Sequence, residues 1–184
     1  MVAKIPLSLT YLRIIIIPFF VFAFFIPGEI GKWSTCGIFI FACLTDYLDG
    51  KLARSLDQES KLGALLDPIA DKIIVAVALM LLIHDETIKD LTLFAALIII
   101  SREILVSGLR EFLASLQISL PVSSLSKAKT FVQMFALSVL LSGEPGNDFL
   151  YGYGRDLGLA SLWISAVITV YTGYKYLRKG LKHV

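Results

Sequence analysis

The stretch LTDYLDGKLARSLDQESKLGALLDPIADK, Leu44–Lys72, sets Asp46, Asp49, Asp57, Asp67 and Asp71 inside a 184-residue chain that is 57% hydrophobic. Carboxylates facing hydrocarbon are costly, so what flanks this stretch decides which fold can hold it. GIFIFACL precedes it and IIVAVALMLLI follows Lys72. Further out lie IIIIPFFVFAFFIP after Arg13, LTLFAALIII before Ser101, FVQMFALSVLL after Thr130 and LGLASLWISAVITVYTGY near the C-terminus. Mean hydropathy is +0.78, and the apolar residues come in runs rather than alternating with polar ones.

A bilayer-spanning helix takes roughly 20 mostly apolar residues, a length several of these runs reach only with their polar flanks. The pattern predicts an all-α chain of six transmembrane helices, near 8–27, 33–54, 66–84, 91–112, 127–143 and 156–178. They form one polytopic membrane domain over 1–184, with no room for a soluble one. The run after Arg13 lacks a small-residue cleavage site and reads as a retained first helix, not a signal peptide. PGEIGKW, HDETIKD and SGEPGNDFLYGYG read as outside turns, and ARSLDQESKLG and LASLQISLPVSS as inside connections. Cys36 and Cys43 share one apolar segment, which suits packing better than a disulfide or a metal pair.

Charge sets the orientation. With the N-terminus in the cytoplasm, all but Lys32, Lys89 and Arg155 of the 17 basic residues fall on the cytoplasmic side. The positive-inside rule then puts both termini there. A basic cytoplasmic face suits anionic lipid headgroups, whereas nucleic acid has no basic soluble surface to occupy.

The aspartates now acquire a place. Asp46 and Asp49 end the second helix and Asp67 and Asp71 begin the third; spacings of three and four put each pair on one helix face. Four carboxylates at one membrane-embedded mouth repel unless a cation sits among them. An all-oxygen set suits Mg²⁺ or Mn²⁺, with substrate phosphate completing the coordination. Two such ions can clamp the attacking and leaving oxygens of a displacement at phosphorus. Gly50 and Gly63 leave room for a bulky ligand beside these carboxylates, and Arg54 shares the face that Gly50 opens. Asp57 and Glu59 read as solvated loop residues, and His84 and His183 as bystanders. The competing reading makes the acids interfacial charges paired with Lys51, Arg54, Lys61 and Lys72.

Asp46-Tyr-Leu-Asp49-Gly50-Lys-Leu-Ala53-Arg54, eight residues, Gly63, three residues, Asp67, three residues, Asp71 resembles the CDP-alcohol phosphatidyltransferase signature at every fixed position. SREILVSGLREF and KAKTFVQM are similar to the bacterial phosphatidylglycerophosphate synthases within that family. The resemblance implies a six-helix homodimer in the bacterial inner membrane, with its active site on the cytoplasmic side. It implies divalent metal, and transfer of a phosphatidyl group from CDP-diacylglycerol to an alcohol with release of CMP; the carboxylate chemistry suggests two ions. Carried over by position, it makes Asp46, Asp49, Asp67 and Asp71 metal ligands and Asp71 also the general base. Gly50, Ala53, Arg54, Gly63 and Thr10 would line the CDP site, with Arg13 beside Thr10 as a further nucleotide contact. Leu7 and Ser126 depart from the family pattern, which often has Asn and Gly there.

The acceptor is read from Arg102, Arg110, Lys127 and Lys129, which the helix pattern gathers at the cytoplasmic half of the fourth and fifth helices. A guanidinium within a membrane span needs an anionic partner. Glu103 or Glu111 can supply it; so can a phosphate on the acceptor, which points to glycerol 3-phosphate bound by Arg102, Arg110 and Lys127. Inositol phosphate is the nearest rival acceptor. A membrane prenyltransferase also uses aspartate motifs and magnesium, but leaves the Gly-Ala-Arg elements unexplained. A non-enzymatic ion path would carry its acids across the bilayer, and here they gather on one side.

Overall fold

The computed structural model describes residues 5–56, 61–118 and 123–180, with side chains from 12–45, 69–118 and 123–180. Among the described residues every regular element is a helix, with no strand. The helices are α1 (Ile5–Phe24), α2 (Gly28–Leu56), α3 (Lys61–His84), α4 (Thr92–Ser115), α5 (Ser124–Leu141), α6 (Gly143–Phe149) and α7 (Gly154–Gly180). Six of these are long. The seventh, α6, lies where a turn was expected in SGEPGNDFLYGYG. Gly143 enters it at φ +60° and Gly152 leaves the segment at φ +86°, so the glycines bracket a short helix rather than dissolve it. Most of PGEIGKW is helical too, because α2 starts directly after Pro27.

The inside connection between α2 and α3 is also shorter than expected. Only residues 57–60 separate them, so the two aspartate-bearing ends lie at the same end of the bundle. At 1.5 Å per residue, Asp49 lies about 10 Å from the end of α2 and Asp67 about 9 Å from the start of α3. Asp46 and Asp71 are then each about 15 Å from those ends, so the two pairs sit at matching depth.

Packing makes two groups of three. α1 packs against α2 and α3, while α7 packs along α5 and α4; α2–α5, α3–α4 and α3–α5 contacts join the groups. The core between them holds Phe20, Phe39, Leu79, Ile99, Leu137 and Leu162, all fully buried. The packed face of α7 is built from small and hydroxyl residues, among them Gly158, Ser161, Ser165, Thr169, Thr172 and Gly173. Small side chains let helix backbones approach where lipid supplies no hydrophobic drive.

The outer surface is apolar: Phe19, Phe22, Phe94, Phe131, Trp163 and Val167 are all exposed. In water such a surface would drive association; in hydrocarbon it is matched. α4 and α7 are each long and apolar enough to cross a bilayer. Two candidate spans and an apolar outer surface fit a membrane setting.

Candidate functional site

Arg13 lies in the apolar run of α1 and is 2% exposed. A guanidinium at that depth requires an anion, and α1 packs against α3 so as to provide one. Arg13 Nη1 donates to Asp71 Oδ1 at 2.6 Å. The pair bridges 58 positions of sequence and orients the last of the four signature aspartates. The side chains of Thr10, Asp46, Asp49, Gly50, Ala53, Arg54, Gly63 and Asp67 lie outside the described residues. Their backbones are helical, so the three- and four-residue spacings hold on α2 and α3. Among the described residues no three His, Cys, Asp or Glu side chains converge as a metal site.

The next residue, Lys72, is attracted by Asp71, Glu103 and Glu111 and repelled by Arg110; the attraction to Glu103 and Glu111 ties the aspartate-bearing helix to α4. Glu103 is the hub on that side. Its Oε1 accepts from the buried Lys129 Nζ of α5, and its Oε2 lies 3.6 Å from Arg102 Nη1. Of the two partners expected for Arg102, Glu103 is therefore the one in contact, and it shares itself with Lys129. Two cations on one carboxylate leave positive charge in excess. Arg110 and Lys127 stand exposed nearby in sequence on α4 and α5, and Arg110 interacts electrostatically with Arg102.

Arg102 also reaches α7. Its Nη2 donates to Thr172 Oγ1 at 3.2 Å, and its guanidinium carbon lies 5.8 Å from the centre of the Tyr176 ring, within cation–π range. Thr172 and Tyr176 also line a cavity of about 220 Å³ with Ser123, Ser124, Lys175 and Lys179. Ser123 caps α5 there, its hydroxyl accepting from the Ser126 amide at 3.2 Å, so Ser126 serves the cap.

A larger cavity, about 660 Å³, opens at the opposite end of the bundle between Lys32, Asp85, Asn147 and Arg155. Lys32 Nζ is 3.0 Å from Asp85 Oδ2 there, which ties α2 to the turn after α3. Asp71, the one signature residue whose side chain is described, does not line it.

Reading the residues in sequence singled out the aspartates and the basic cluster as candidates. It left two contacts unassigned: Arg13 on Asp71, and Thr172 with Tyr176 on Arg102. The signal for the first is a lone arginine inside an apolar run. The second has only the weak signal of a threonine and a tyrosine four apart on a packed face.

The chain matches the profile of the CDP-alcohol phosphatidyltransferase family over residues 3–171. It is 39% identical over 181 residues to a Rickettsia felis protein named CDP-diacylglycerol–glycerol-3-phosphate 3-phosphatidyltransferase, covering 98% of this chain and 97% of that one. Proteins of the same name from Pseudomonas fluorescens and Haemophilus influenzae are 42% and 41% identical. The first alignment covers 98% of this chain and 92% of the relative, the second 95% and 92%.

Proposed function

The chain belongs to the CDP-alcohol phosphatidyltransferase family, and on that premise we propose that it transfers the phosphatidyl group of CDP-diacylglycerol to glycerol 3-phosphate, giving phosphatidylglycerophosphate and CMP. The observation that carries the acceptor assignment is the Glu103 hub, where one carboxylate meets both Arg102 and Lys129 beside the Asp71–Lys72 end of α3. An acceptor bearing its own phosphate balances that excess charge. A free polyol or serine gains nothing from it.

The donor set fits a hard divalent ion: all oxygen, on two helices, at matching depth. Asp46, Asp49, Asp67 and Asp71 would hold Mg²⁺ or Mn²⁺, with two ions proposed. Such ions neutralise the pyrophosphate and stabilise the departing CMP oxygen. The chain's own residues do the rest. Gly50, Ala53 and Gly63 keep the faces beside the aspartates open to the nucleotide, and Arg54 and Thr10 contact it. Arg102, Arg110 and Lys127 bind the acceptor phosphate and orient its hydroxyl. That hydroxyl oxygen forms a new bond to the phosphatidyl phosphorus while the bond from phosphorus to the CMP oxygen breaks. Asp71 takes the hydroxyl proton, its carboxylate aimed by Arg13.

The six long helices, the basic residues gathered at one end and the family together support a multi-pass protein of the bacterial inner membrane. Its active site faces the cytoplasm, the acyl chains of the substrate stay in lipid, and the protein works as a homodimer. The experiment is CMP release by purified protein offered glycerol 3-phosphate, inositol phosphate, inositol and serine in parallel. Glycerol 3-phosphate is expected to be the preferred acceptor, EDTA to abolish turnover, and added Mg²⁺ or Mn²⁺ to restore it. Preference for inositol phosphate would reassign the acceptor, and full activity in EDTA would remove the metal site.

A further inference from the structure

Arg102 does not stand alone in its span; it lies across α7 at a position only glycine leaves open. A methyl carbon built at Gly173 would sit 2.9 Å from Arg102 Cγ and 3.5 Å from its Nε, so the arginine stem runs over the bare backbone of Gly173. On either side of that crossing α7 supplies one contact. Thr172 Oγ1 accepts from Arg102 Nη2 at 3.2 Å and itself donates to the Ile168 carbonyl at 2.8 Å. That donation turns its remaining lone pairs to the guanidinium. Tyr176, one turn on, presents its ring at 5.8 Å. With Nη1 beside Glu103 and Nη2 on Thr172, Nε is the nitrogen that finds no partner among the described residues. A buried donor left unsatisfied costs free energy; an anion at Nε removes that cost.

We propose that Gly173, flanked by Thr172 and Tyr176, is a positioning site on α7 that sets the guanidinium of Arg102 for the acceptor phosphate and so governs affinity for glycerol 3-phosphate. The inference deepens the reading of Arg102 as a phosphate ligand and rests on it. Gly173 and Thr172 touch no reacting atom; they act through Arg102. A side chain at Gly173 lifts the stem away from α7, and loss of the Thr172 hydroxyl releases the guanidinium to swing toward Glu103.

The test is steady-state kinetics of Gly173→Ala, Thr172→Val, Thr172→Ser, Arg102→Ala and the double variant Arg102→Ala/Gly173→Ala, varying glycerol 3-phosphate and CDP-diacylglycerol separately. Gly173→Ala and Thr172→Val are each expected to raise KM for glycerol 3-phosphate roughly 10-fold, the scale of one lost hydrogen bond to a charged group, with KM for CDP-diacylglycerol little changed. Thr172→Ser, which keeps the hydroxyl, recovers most of that loss. In the Arg102→Ala background Gly173→Ala adds nothing, because residues acting as one unit are not additive. If Arg102→Ala raises the acceptor KM but Gly173→Ala and Thr172→Val do not, or their effects multiply with it, the positioning inference is overturned and the phosphate reading stands. If Arg102→Ala changes both KM values alike or neither, the phosphate reading fails and the inference with it. Thr172→Val keeps the native volume, so the test survives should Gly173→Ala fail to fold.

Discussion

Asp71 serves two partners at once: it completes the signature on α3, and it receives Arg13 from α1 at 2.6 Å. Asp71→Asn keeps the shape and an oxygen ligand but removes the proton acceptor. We expect near-normal binding of CDP-diacylglycerol and a kcat lower by roughly 10²–10⁴-fold, the span for losing general-base help; turnover near the native rate would put the base elsewhere. Arg13→Ala leaves the carboxylate chemically intact but unaimed, and a displacement of about 1 Å can cost roughly 10²-fold in rate. Its expected signature is therefore a lower kcat with the metal requirement retained, whereas loss of the metal requirement would show that Arg13 does something else. Asp46→Asn, Asp49→Asn and Asp67→Asn should each lose metal-dependent turnover while still inserting in the membrane, which immunoblots of membrane fractions check alongside the assay. The spacing of these aspartates was legible in the chain because helical periodicity is local. The Arg13 contact was not, because it joins residues 58 positions apart and depends on how α1 packs.

Helices follow from apolar runs, and all six long ones could be read that way; several of their ends could not, although the end of α3 at His84 and the start of α4 at Thr92 were read to within a residue. The expected starts of α2 and α3 fell at 33 and 66, whereas they begin at Gly28 and Lys61. Polar residues near a membrane surface can extend a helix as readily as end it, so hydropathy alone misplaces such boundaries. The segment around α6 was read as a turn from its glycines and proline. Pro145 lies in the first turn of α6, where a missing amide costs no hydrogen bond. The face of α7 that packs was hidden as well, since small residues carry little hydropathy signal. Gly158 measures that packing: a methyl carbon there would meet Leu140 Cδ2 at 2.6 Å. Gly158→Ala should cost about 1–3 kcal/mol, as overpacking does, and lower the thermal midpoint in detergent without changing acceptor preference. An unchanged midpoint would mean that α5 and α7 are not packed this closely.

Across the whole molecule, the two ends differ in their charged and aromatic residues. One end gathers Asp71, Lys72, Glu103, Arg102 and Lys129, with the aspartates of α2 and α3 at matching depth; the other carries the Lys32–Asp85 bridge and the aromatic segment at the end of α6, with Phe149, Tyr151 and Tyr153 exposed. Aromatic residues favour the membrane–water boundary. Reporter fusions at the two termini should therefore both read as cytoplasmic, with an insertion after Tyr151 on the outside; termini on opposite sides would break the six-span arrangement. The family was legible from the signature alone, while the sharing of Glu103 between Arg102 and Lys129 was not, because it joins residues on separate helices. The most direct measurement follows labelled glycerol 3-phosphate into chloroform-soluble lipid by purified protein in micelles with CDP-diacylglycerol and Mg²⁺, counting CMP in the same sample. Lipid product and CMP in equal amounts, with neither formed when any one component is omitted, is the predicted result. CMP release without labelled lipid, or no CMP at all with every component present, would contradict phosphatidyl transfer to glycerol 3-phosphate.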